Sequence, residues 1–142
     1  MMVKTQKVII VPCSGIGKPY GSVSREAAYV ITEDLLSAQT QLVPLALLVL
    51  GDEASRSALA EYPAITIDGC KLGCAAKMVR QSGGSIAKEF AVLDIYRRYK
   101  EFKPQGIAEL NEVGLKLASA LAEEVSCMVE SLIKGQPGGK NA

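Results

Sequence analysis

The chemistry open to this chain rests on sulfur. Cysteines stand at positions 13, 70, 74 and 127, and none of the 142 residues is histidine. That absence removes Ser-His-Asp triads, Cys-His nucleophile pairs, imidazole-ligated metals and histidine acid/base catalysis together. The four thiols are left as metal ligands, nucleophiles or small apolar side chains. Sixteen basic against fifteen acidic residues give a net charge of +1, too little to draw nucleic acid or an anionic membrane. Trp is absent and aromatics make up 5%, so a base-stacking surface is not expected.

Three of the thiols fall beside turn signals rather than inside regular elements. Cys13 follows the β-branched run Lys7 to Val11 and Pro12, which read as a first strand and its end. The loop CSGIGKPYG (Cys13 to Gly21) leads to a helix over Ser22 to Ser37, with Ser22 as its N-cap. Cys70 and Cys74 follow a buried strand, Ala64 to Asp68 (AITID), and Cys74 opens a short helix to Gln81 that Gly83-Gly84 ends. In a parallel α/β sheet, ligands bind beyond the carboxyl ends of the strands. If the two strands are neighbours, Cys13, Cys70 and Cys74 share one rim. A helix N-terminus there, with Lys18, Lys71 and Lys77 nearby, favours thiolates. Gly15, Gly17, Gly69 and Gly73 let the backbone approach a ligand.

The other elements complete the frame. Leu42 to Leu50 is an apolar run read as a strand, although its Leu and Ala content also suits a helix. Ala54 to Glu61 reads as a short helix ended by Tyr62-Pro63, and Asp52-Glu53 as a turn with a helix-start charge preference. Phe90 to Ile95 reads as a strand and Arg97 to Lys103 as a connection. Leu110, Gly114, Leu117, Leu121, Val125, Met128 and Leu132 form one stripe of a last helix. Cys127 lies off that stripe and reads as an inert apolar side chain. Strands alternating with helices predict one α/β domain over residues 1–134, with a mostly parallel sheet of about four strands in Rossmann-like layers. Residues 135–142 (GQPGGKNA) are expected to be a disordered tail.

IDGCKLGCAAK (Ile67 to Lys77), together with PCSGIGKPYG (Pro12 to Gly21), resembles the DGC-domain family, named for its Asp-Gly-Cys motif. The resemblance covers roughly residues 7 to 103. It implies a cysteine-lined zinc site with Cys13, Cys70 and Cys74 as ligands. Where many members carry a further cysteine near the second strand, this chain reads LALLVLGDEA, and Tyr96 stands where a glycine is common. The fourth zinc position is thus open to Asp68, Cys127, water or a second chain. The resemblance implies a metal more than a reaction.

Three functions follow as expectations. The first is a Zn²⁺-binding α/β protein with Cys13, Cys70, Cys74 and Asp68 at the site. The second is a metal-free thiol, sulfur-transfer or redox enzyme using Cys13 and Cys70. The third is a nucleotide- or phosphate-binding module at the Gly15–Gly21 loop, although its spacing is neither G-x-G-x-x-G nor a P-loop. Asp94 is read as an exposed or capping carboxylate, and the basic and aromatic interleaving of Tyr96 to Lys103 as a solvated loop. The nine-residue apolar run is far short of the ~20 residues of a membrane span, and no signal peptide is read at the start. The expected setting is cytoplasmic, with a metal ion as partner, no nucleic acid, no membrane, and a homo-oligomer left open.

Overall fold

Val8–Pro12 and Ala64–Asp68 are buried at every position, as expected of central strands covered on both faces. A computed structural model describes residues 6–13, 17–69 and 71–135. In chain order the elements are β1 (Val8–Pro12), α1 (Pro19–Tyr29), β2 (Thr40–Leu42), α2 (Leu45–Leu50), α3 (Glu53–Glu61), β3 (Ala64–Asp68), α4 (Cys74–Gln81), β4 (Ile86–Ala91), α5 (Val92–Arg98) and α6 (Glu112–Ile133). The four strands form one all-parallel sheet in the order β2-β1-β3-β4.

Strand alternation sorts the side chains into two cores. Val8, Ile10, Ile65 and Ile67 pack with α1, α5 and α6 on one face. Ile9, Val11 and Ala64 pack with α2, α3 and α4 on the other. The expected single α/β domain with a four-stranded parallel sheet is therefore observed. No helix among the described residues is long and apolar enough to cross a membrane.

The larger departures from the sequence reading lie at element boundaries. α1 starts at Pro19, whose fixed φ suits a first helical position. Ser22 is therefore inside the helix, and its hydroxyl donates to the Ile107 carbonyl at 2.5 Å instead of capping. Beyond Tyr29 the helix widens to a π-helical turn over Val30–Leu35. Leu42 to Leu50 is mostly helix: Pro44 caps α2 at its start, and Gly51 ends it in a left-handed conformation at φ 81°. Pro44 inside the run and Gly51 just past it bracket the helix, and they outweigh the run's apolar character. Finally, of the strand read over Phe90 to Ile95 only Phe90 and Ala91 are strand, the end of one that starts at Ile86. β4 ends at Ala91, and Val92 and Ile95, three apart, turn into the core as part of α5.

One buried group in β3 lacks a partner. The Thr66 hydroxyl is 0% exposed and makes no hydrogen bond among the described residues. A buried polar group left unpaired costs more than it returns. Thr66→Val should raise stability by about 1 kcal/mol, read as a higher urea midpoint at unchanged slope. A lowered midpoint would mean the hydroxyl has a partner in solution.

Candidate functional site

The chain passes from β1 to β2 on one side of the sheet and from β3 to β4 on the other. Strand order thus reverses between β1 and β3, and the crevice beyond their carboxyl ends is where open α/β sheets bind ligands. Cys13 leaves β1 there, and Gly69 leaves β3.

Two hydrogen bonds fasten these exits to each other. The Cys13 N–H donates to the Ile67 carbonyl at 3.0 Å, extending the ladder by one residue. The Gly69 N–H donates to Cys13 Sγ at 3.3 Å. The half-buried sulfur is thereby turned toward the end of β3, across 56 positions of sequence. α1 closes over the same point. Ser24 Oγ donates to the Ile67 carbonyl at 2.6 Å. A Cβ on Gly69 would stand 2.7 Å from the Gly21 nitrogen and 2.8 Å from the Gly21 Cα. Only glycine lets the first turn of α1 lie directly on the β3 exit.

Asp68 acts on the next element. Its carboxylate accepts from the Ala75 N–H at 2.8 Å and the Ala76 N–H at 3.3 Å. The residue at the N-cap position of α4 is Gly73, at φ 66°, which has no side chain to offer. A carboxylate from the strand end therefore satisfies amides that a local Ser or Asp would normally take. Asp68 is 7% exposed. Burial raises its carboxyl above the ordinary aspartate range, against the two helix amides, which pull it down; Glu89 adds to the rise and Lys77 opposes it. Cys74, the first residue of α4, is exposed and lies in the turn that Asp68 caps.

Two cavities border the rim. One, of about 390 Å³, is lined by Lys18, Tyr20, Gly69, Lys71, Leu72 and Leu93. The other, of about 300 Å³, has Cys13 in its wall and runs between α1 and α2.

The structure thus brings Cys13 against the Asp68-Gly69 turn and puts Cys74 on the helix that Asp68 caps. Cys70 and Gly15 lie outside the described residues. Among those described, no three Cys, Asp or Glu side chains form a group that could hold a metal ion. Cys127 is exposed on α6, so it is not the buried apolar side chain expected from its setting. Asp94 is exposed, as expected, and it pairs with Arg97 at 2.7 Å. Asp52 caps α3 through the Ser55 N–H at 3.0 Å. The sequence reading missed Arg25 and Tyr29, one helical turn apart on α1 and both at the second cavity. Their i, i+4 spacing was the only signal, and it is common on exposed helix faces.

A family model for the DGC domain matches residues 9–114. The chain belongs to the DGC-domain family. The match runs from β1 into the first turn of α6, so it contains both Cys13 and the Asp68-Gly69-Cys70 motif. Comparison with curated proteins and with solved structures gave no significant match.

Proposed function

We propose that this DGC-domain protein binds Zn²⁺ through the thiolates of Cys13, Cys70 and Cys74, at the carboxyl rim between β1 and β3. One observation carries the reading: the Gly69 N–H on Cys13 Sγ joins the exit of β1 to the glycine of the Asp-Gly-Cys motif. An amide hydrogen bond to sulfur is the kind of support that orients a ligating thiolate. Family membership supports a metal-binding role, and thiolates are donors suited to zinc.

The residues divide the work. Gly69 holds the Cys13 sulfur through its amide. Asp68 has both carboxylate oxygens on α4 amides, so its part is to fix the turn that carries Cys74 rather than to ligate. Three protein thiolates would leave a fourth position for water or a substrate, and zinc in such a site supplies Lewis acidity. Lys18 and Lys71 line the neighbouring cavity, which favours an anion beside the metal. A thiolate site of this kind belongs in a reducing compartment, the cytoplasm.

Titration with Co²⁺ tests the donor set. The expected result is one equivalent giving an intense thiolate-to-cobalt charge-transfer band, which zinc displaces and which Cys13→Ser and Cys74→Ser each weaken. The competing reading is a metal-free thiol enzyme. Absence of the band, with iodoacetamide labelling of Cys13 that added zinc leaves unchanged, would overturn the zinc reading in its favour.

A further inference from the structure

We infer that the cavity between α1 and α2, with Cys13 in its wall, binds a small organic acid: one carboxylate on a compact apolar body. The inference does not depend on the metal.

The cavity opens at the carboxyl ends of β1 and β2, and at about 300 Å³ it is at the small end of ligand sites. Pro12, Leu42, Pro44 and Leu45 give it apolar walls. Among the described residues Arg25 is the one charged member of the lining, and it makes no ion pair. Its guanidinium is nevertheless held in place. Nη2 donates to the Ile107 carbonyl at 2.9 Å and lies 3.5 Å from Ser22 Oγ. A guanidinium carries five donors in a planar fork, and no other Arg25 donor has a partner among the described residues. Nε and Nη1 are therefore each available to give a carboxylate a charge-assisted hydrogen bond. Arg25 also borders another cavity, which is lined by Glu26 and Glu109 as well; two carboxylates there disfavour an anion. An anion that also needs apolar contact is directed to the Cys13 side. A single cation in an apolar wall fits a monoanion better than a phosphate.

The test uses the full chain, ¹⁵N-labelled, titrated with benzoate and with neutral benzamide of the same shape. Benzoate should saturate and shift the amides of Cys13, Leu45 and Ala46, with benzamide at least tenfold weaker. Arg25→Gln should weaken benzoate roughly tenfold to a hundredfold while leaving metal content unchanged. Ala46→Phe, which keeps Arg25 and fills the cavity from α2, should also abolish binding. No saturable binding, equal binding of the two probes, or shifts centred on Lys18 and Lys71 instead would overturn the inference. Benzoate binding by a chain that takes up no zinc would leave it standing while the metal reading fails.

Discussion

Gly69→Ala is expected to destabilise the protein by about 3 kcal/mol or more, at the upper end of the overpacking range. The added methyl would meet backbone, not a flexible side-chain end: the Gly21 nitrogen at 2.7 Å and the Tyr20 carbonyl carbon at 2.8 Å. Relief requires α1 to lift from the β3 exit. That movement would also strain the 2.6 Å bond from Ser24 to the Ile67 carbonyl and disturb the packing of Val23 and Ala27. The change would shift the amide that donates to Cys13 Sγ as well, so metal affinity should fall with stability. Urea unfolding followed by circular dichroism reads the first effect. A loss under about 1 kcal/mol would mean that α1 and β3 are not in direct backbone contact.

Asp68→Ala is the second large effect. It leaves the Ala75 and Ala76 amides without their acceptor at a buried helix start, which costs about 2 kcal/mol. Because α4 begins at Cys74, metal affinity should drop roughly tenfold even though no ligand is removed. The pH dependence has a definite sign. Burial raises the folded-state pKa of Asp68 above its unfolded value, so between the two the folded protein holds more protons. Stability therefore falls as pH rises through that window, and rises as pH is lowered into it. The stability difference between wild type and Asp68→Ala should accordingly grow as pH falls from neutral toward the aspartate range. A difference that shrinks would mean that the helix amides outweigh burial.

The parts of this fold that local pattern controls were legible in the sequence. AITID is apolar enough to be a central strand and nothing else, and strand direction alone puts Cys13 and Gly69 at the same edge. The misread parts depend on competition between signals. Pro44 inside Leu42 to Leu50 and Gly51 just past it punctuate a helix in a run whose apolarity also suits a strand. At Val92 the chain turns from strand to helix because the core between α1 and α6 takes Val92 and Ile95. The role of Asp68 was hidden for another reason. Helix capping is normally local, and here the acceptor comes from seven residues before Ala75. Arg25 was equally silent, since its value lies in the Ile107 carbonyl 82 residues away.

Elemental analysis of the purified protein, wild type beside Cys70→Ser, tests the metal site most directly. The expected result is about one zinc per wild-type chain and nearly none in the variant, because two thiolates are too few to hold the ion at ordinary concentrations. Wild-type protein without zinc, or a Cys70→Ser variant with undiminished zinc, would contradict it.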